Sequence, residues 1–207
     1  MDSIHCGRVH ISNISPFGAG LGYSPLPDYL KKKGAIVNVQ NKDERCFGYA
    51  ILAWWKGKDV DGQLDNLTRQ NTYKEADFHE LGLDRLKYQV ELAEVCALET
   101  QLGISINVFC YSDDEGRKMY PYYITHVAEA ERRLVSLLYF NNQWAWIRNF
   151  SRFAARTRNQ GNRKQFWCER CLICFYLEDK LRLHKQNCCR PDFCEKVVNS
   201  EFPKALL

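Results

Sequence analysis

The sequence predicts an α+β domain with a small ββα unit placed behind it. Three observations lead there. Helical periods and strand-like runs both occur within residues 35–155. Six of the ten cysteines crowd between Cys168 and Cys194, with a histidine in their midst. Between these regions, residues 157–164 are polar and include Gly161, which reads as a linker. The expected division is therefore residues 1–157 and residues 158–207. With 45% hydrophobic and 13% aromatic residues, the chain is apolar enough to fold.

Residues 1–25 are rich in glycine and proline and show no period. Residues 35–39 alternate as a strand does. Residues 46–55 (CFGYAILAWW) follow a polar turn and form an apolar run, which predicts a helix buried on most sides. Residues 86–102 carry Val90, Ala93, Ala97, Leu98 and Leu102 at helical spacing. Residues 104–110 and 120–124 read as strands. Residues 134–140 and 144–147 read as a hairpin turning at Asn141-Asn142. Residues 148–155 read as a short helix.

Net charge is +4, too small to demand a nucleic-acid partner. Its distribution is uneven. Acidic residues are frequent over residues 59–99, whereas residues 148–164 hold Arg148, Arg152, Arg156, Arg158, Arg163 and Lys164 with no acid. No apolar run suits a signal peptide, and none approaches the ~20 residues that span a bilayer. Clustered cysteines around a histidine indicate metal binding in a reducing compartment rather than a disulfide framework. The expectation is a protein without membrane contact, in cytoplasm or nucleus.

The cysteine cluster follows the pattern F-x-C-x2-C-x3-F-x5-L-x2-H-x3-C from Phe166 to Cys188. Cys168 and Cys171, two residues apart, can chelate from one tight turn. His184 and Cys188, four apart, share one helical face and close a tetrahedron. Phe175 and Leu181, with Phe166, supply a miniature core. Zinc is the expected cofactor, and its binding energy would supply most of the folding energy of so small a unit. Cys188 stands where a ββα finger commonly has its second histidine. Cys174, Cys189 and Cys194 are left over. Cys174 competes with Cys168 only at the cost of the spacing to His184, and Cys189 is an alternative to Cys188 in a shifted register.

Counted with His184 as helix position 7, the base-reading positions −1, 3 and 6 fall on Leu177, Lys180 and Leu183. Leucine cannot hydrogen-bond a base edge, so a sequence-specific transcription factor is the weakest of the functions considered. Phosphate contact through Lys180, Arg182, Lys185 and a helical face of Arg148, Arg152 and Arg156 is the nucleic-acid expectation.

Cys46 opens the apolar helix, where the helix dipole favours a thiolate. Papain-like enzymes place their nucleophile this way, with an upstream amide for the oxyanion, here Gln40 or Asn41. The resemblance implies a papain-like α/β domain. It also implies a basic histidine opening a late strand, followed by Asp or Asn. Gln143 occupies that place, with Asn149 after it, and glutamine cannot take a proton. Of the histidines outside the cluster (His5, His10, His79 and His126), His126 is the best placed to substitute and His79 a poorer one.

Several blocks in order carry a second resemblance. They are Pro27-Asp28-Tyr29-Leu30 with Lys33, residues 35–43, Cys46-Phe47, Ile51-Leu52-Ala53, residues 104–108, Tyr120-Pro121 and residues 146–152. Together they resemble the region preceding the protein-primed family B DNA polymerase of Polinton (Maverick) mobile elements. In that family a histidine commonly stands at the place of Gln143 and an aspartate at that of Asn149, so the resemblance implies an inactivated cysteine-peptidase-like domain. None of the polymerase's carboxylate motifs occurs in these residues. The combined expectation is a non-catalytic zinc-binding module of mobile-element origin that contacts nucleic acid or protein. A cysteine peptidase or deubiquitinase built on Cys46 is the rival.

Overall fold

The computed structural model describes residues 23–58, 65–88, 90, 91, 94–112, 118–125, 133–155, 164–186 and 188. Its helices are α1 (Asp28–Lys33), α2 (Cys46–Gly57), α3 (Glu75–Glu80), α4 (Val95–Leu102), α5 (Phe150–Ala154) and α6 (Glu178–Lys185). Its strands are β1 (Ile36–Val37), β2 (Ser105–Ser112), β3 (Lys118–Tyr123), β4 (Leu134–Phe140), β5 (Gln143–Ile147), β6 (Phe166–Trp167) and β7 (Cys174–Phe175).

β1 to β5 form one mixed sheet in the order β1-β5-β4-β2-β3. Only the central pair β2–β4 is parallel. The β4–β5 hairpin turns at Asn141 and Asn142, which have φ of 44° and 59°. Two consecutive left-handed residues match the twist of the flanking strands, and asparagine tolerates that region better than most residues.

Alternation along the strands gives the sheet two apolar faces. Ile106, Val108, Val135, Leu137, Trp144 and Trp146 pack with α2 in the larger cluster, beside Phe47, Ile51, Leu52 and Phe78. Phe109, Leu138, Phe140, Ala145 and Ile147 face the other way, against Leu30, Phe150, Phe153, Trp167 and Leu172. The second face is thus covered by α1, α5 and the cysteine-rich unit. Near this cover Lys33 Nζ donates to the carbonyls of Phe153 and Ala155 at the end of α5, where the helix dipole favours a cation. Burial holds the Lys33 pKa below its ordinary value.

α2 matches the expected buried helix, with every residue from Phe47 to Trp54 buried. Its fit is close. A Cβ on Gly48 would stand 2.7 Å from Tyr88 Oη and 2.8 Å from Phe78 Cε1.

Two elements differ from expectation. The helix expected over residues 86–102 is confined to Val95–Leu102. The Val90 carbonyl accepts from the Trp144 indole at 3.2 Å, and the Glu91 amide donates to the Glu94 carboxylate at 2.8 Å. One tertiary partner, Trp144, and one local side chain, Glu94, therefore hold backbone groups that a longer helix would pair internally. The helix expected over residues 148–155 begins at Phe150, with the Asn149 side chain capping it by accepting from Arg152 N at 2.9 Å. Arg148 lies before it, its amide bonded to the Ala35 carbonyl at 2.9 Å, so Arg148 and Arg152 do not share a helical face. Arg156 lies outside the described residues, as does all but the last residue of the expected linker. No helix among the described residues is long and apolar enough to cross a membrane.

Candidate metal centre

The turn between β6 and β7 is built to present sulfur. The Cys168 amide donates to the Ile173 carbonyl and the Leu172 amide to the Cys168 carbonyl, both at 2.9 Å, with Leu172 left-handed at φ 60°. This folds the Cys168–Cys171 segment back on itself. α6 then brings His184 across from it. Ligand atoms of Cys168, Cys171, His184 and Cys188 all lie within 4.8 Å of one another. Cys168 Sγ is 3.5 Å from Cys188 Sγ, and Cys171 Sγ is 3.0 Å from His184 Nε2. The Phe175 ring lies 4.9 Å from the imidazole. Cys174 is not among the four, its sulfur lying 3.8 Å from the Phe175 carbonyl. Cys189 and Cys194 lie outside the described residues.

Three thiols and an imidazole packed this closely form a donor set suited to a soft divalent cation. The thiols' own electrostatics agree. Hydrogen bonds from Cys171 and Cys188 hold the Cys168 pKa far below the usual thiol range, while the same pairing pushes those of Cys171 and Cys188 up. One negative charge is thereby favoured and further charge resisted, a conflict that a bound cation removes.

The ββα unit is fastened to the sheet by a residue with no signal in the sequence. Glu169 sits inside the Cys168–Cys171 turn. Its carbonyl accepts from Asn107 Nδ2 at 2.6 Å, its Oε2 from Ser136 Oγ at 2.9 Å and its Oε1 from Lys185 Nζ at 3.3 Å. Asn107 and Ser136 are register partners on β2 and β4. The Trp167 amide also donates to Ser151 Oγ on α5 at 3.0 Å. The residues expected to form a miniature core, Phe166, Phe175 and Leu181, are only half-buried. Trp167 and Leu172, which join the core of the larger domain, are the buried ones.

No family model, curated protein or solved structure matches this chain. What stands is an α+β domain with a mixed five-stranded sheet, followed by a ββα unit carrying a Cys-Cys-His-Cys group.

Cys46 is the first residue of α2 and is half-buried. Its Sγ lies 3.9 Å from the Asn142 carbonyl. Burial pushes the thiol's pKa up, against smaller opposing hydrogen bonds from the backbone of Trp144 and Phe47. The neighbouring strand opens with Gln143, 1% exposed, whose Nε2 donates to Asn41 Oδ1 at 3.2 Å and Asn38 Oδ1 at 3.3 Å. Asn41 is buried and spends its own amide N–H on the Asp43 carbonyl. The Gln40 side chain is exposed, and its backbone amide donates to the Thr68 carbonyl at 2.8 Å. Buried Asn38, unremarked in the sequence, completes this row of amides. Of the described histidines, His79 pairs with Asp84 at 3.1 Å on α3 and its flank, and His184 belongs to the metal cluster. His5, His10 and His126 lie outside the described residues.

Two of the expected phosphate-binding cations are neutralised nearby. Lys185 meets Glu169, and Arg182 meets Asp179 at 3.0 Å. Arg152 and Lys180 are exposed.

Proposed function

We propose that this chain is a non-catalytic, zinc-binding protein-interaction module in which the metal unit is a fixed part of the domain surface. The Cys-Cys-His-Cys group carries this reading. Four protein ligands fill a tetrahedral zinc and leave no position for water or substrate, which is the mark of a structural rather than a catalytic site. Two observations favour protein over nucleic acid. Leu177 and Leu183 are 62% and 57% exposed at two base-reading positions, and Arg182 and Lys185 are already paired. Non-specific contact with phosphates through Arg148, Arg152 and Lys180 is a secondary component that salt would weaken. Descent from the region preceding the Polinton polymerase is part of this reading and rests on the order of the sequence blocks. So is a nuclear or cytoplasmic location, where thiols stay reduced.

A second reading, a papain-like cysteine peptidase or deubiquitinase, is favoured by one observation. Cys46 heads α2 beside the opening of β5. Against it, Gln143 supplies no general base there, and acid–base help is worth ~10²–10⁴ in rate. Metal analysis and turnover separate the two. One zinc per chain, lost in Cys171→Ser, together with no turnover of fluorogenic peptide or ubiquitin substrates above Cys46→Ala, is expected. Turnover that disappears in Cys46→Ala would promote the peptidase.

A further inference from the structure

Two buried polar side chains of the sheet belong to no donor set, yet both reach the turn that carries two of the sulfurs. Asn107 and Ser136 are 0% and 2% exposed and stand opposite each other on the parallel pair β2–β4. They lie two residues before Phe109 and Leu138, on the face that the ββα unit covers. A buried amide or hydroxyl costs free energy unless it is bonded. Here both bonds go to one residue, Glu169, the neighbour of Cys168 inside the Cys168–Cys171 turn. Asn107 Nδ2 holds its carbonyl and Ser136 Oγ its carboxylate. The Asn107 amide is itself oriented, because its Oδ1 accepts from the Thr125 amide at 3.0 Å. A flipped amide would set donor against donor there and oxygen against oxygen at Glu169. The other Glu169 oxygen meets Lys185, the neighbour of His184. One residue thus links the sheet, the turn that carries Cys168 and Cys171, and the helix that carries the imidazole.

We propose that Asn107 and Ser136 are positioning residues for zinc, setting the affinity of a site to which they contribute no ligand. The inference rests on the zinc-binding reading. In so small a unit, folding and metal binding are one equilibrium, so ordering the Cys168–Cys171 turn is part of what binding costs. Any bond made by the ordered turn and absent from the disordered one therefore adds to the affinity for metal. Magnitudes rank the three bonds to Glu169. The Ser136 hydroxyl is buried and its acceptor is a carboxylate, a stronger pairing than one between neutral groups. The Asn107 bond is neutral but short, at 2.6 Å. The Lys185 side chain is 50% exposed and its nitrogen 3.3 Å away, so solvent screens that bridge and it contributes least. The two residues most distant in sequence from the ligands should thus matter more to zinc than the lysine beside His184.

The test is the zinc dissociation constant of the full chain, measured at neutral pH by competition with a chromophoric chelator. Ser136→Ala should weaken zinc binding about tenfold. Asn107→Asp keeps the acceptor for Thr125 but loses the donor to Glu169, and should weaken it at least as much. Lys185→Gln should weaken it less than about threefold. Glu169→Gln, which keeps an acceptor for Ser136, should lose less than Glu169→Ala. Gly48→Ala, on α2 across the sheet, should lower stability and leave the constant unchanged. With excess metal every variant should still bind one zinc. Cobalt(II) bound in its place should keep the wild-type absorption spectrum in Ser136→Ala, because the ligands are the same. A dissociation constant unmoved by Ser136→Ala would overturn the proposal. So would Gly48→Ala moving it as far, since fold stability rather than this fastening would then set the affinity. A changed cobalt spectrum in Ser136→Ala would overturn it too, by showing that Ser136 shapes the ligand set itself. A wild-type chain that takes up no zinc would instead refute the reading beneath it.

Discussion

Cys46 is where a papain-like interpretation meets the physical chemistry of one side chain. A buried thiol favours its neutral form, because the charge of the thiolate is poorly solvated. At pH 7.5 its thiolate fraction therefore falls below that of an ordinary cysteine with pKa near 8.5. Iodoacetamide should alkylate Cys46 at least tenfold more slowly than exposed Cys96, measured by timed mass spectrometry of the native protein. The rate at Cys46 should still be rising with pH above the ordinary thiol range. Linkage has the same sign. The stability drawn from the neutral thiol is complete below the unfolded pKa and declines as pH climbs through the raised folded value. Fast labelling of Cys46 at neutral pH would mean that the thiolate is stabilised after all. At the metal site the corresponding prediction is that Cys171→Ser lowers zinc stoichiometry, while Cys174→Ser leaves it at one, since Cys174 stands outside the cluster.

Between residues and the whole lie the elements, and here spacing was informative where a segment answers to one constraint. The apolar run at residues 46–55 has no polar face to place, so a buried α2 followed from composition alone. The Asn141-Asn142 pair announced a two-residue turn because few residues accept positive φ twice in succession. The metal cluster was legible to the residue because tetrahedral coordination fixes spacing. Residues 86–102 misled because the apolar spacing there serves packing, while the Trp144 indole and the Glu94 carboxylate decide the backbone. Glu169 was invisible, since nothing in Cys-Glu-Arg-Cys says that Asn107 and Ser136 wait for it. Two substitutions probe the elements. Gly48→Ala forces a Cβ against Tyr88 and Phe78 and should cost about 1–3 kcal/mol in urea unfolding. Asn149→Ala removes the cap of α5 and should cost about 1 kcal/mol, with zinc content unchanged.

For the whole molecule, the metal unit is a lid on a hydrophobic face and not a separate bead. Trp167 and Leu172 share one apolar cluster with Leu138, Phe140 and Phe153. Chelating the zinc should therefore destabilise the α+β domain too. In calorimetry, excess EDTA should lower a single melting transition rather than remove a minor one, and near-ultraviolet circular dichroism should lose intensity as Trp167 is released. Two independent transitions, one unmoved by EDTA, would show that the units fold separately. Glu169→Ala tests the fastening alone. It should lower the melting temperature by several degrees, at about 2–4 °C per kcal/mol for a chain of this size, while the zinc stays bound.

That lid lies late in the chain, and proteins are made from one end. When β5 is complete, the face bearing Phe109, Leu138 and Ile147 exists, but Trp167, Leu172 and the metal ligands do not. At ribosomal speeds of ~5–20 residues per second, the interval from Ile147 to Cys188 lasts roughly two to eight seconds. During that time, among the described helices, α1 and α5 are what cover the sheet's second face. If the Cys-Cys-His-Cys group holds zinc as proposed, capture of the metal is the final event that closes it, and the yield of folded protein should follow the supply of zinc during synthesis. Cells starved of zinc should accumulate the chain in aggregates rather than as a stable metal-free form, and adding zinc afterwards should fail to recover what adding it during expression preserves.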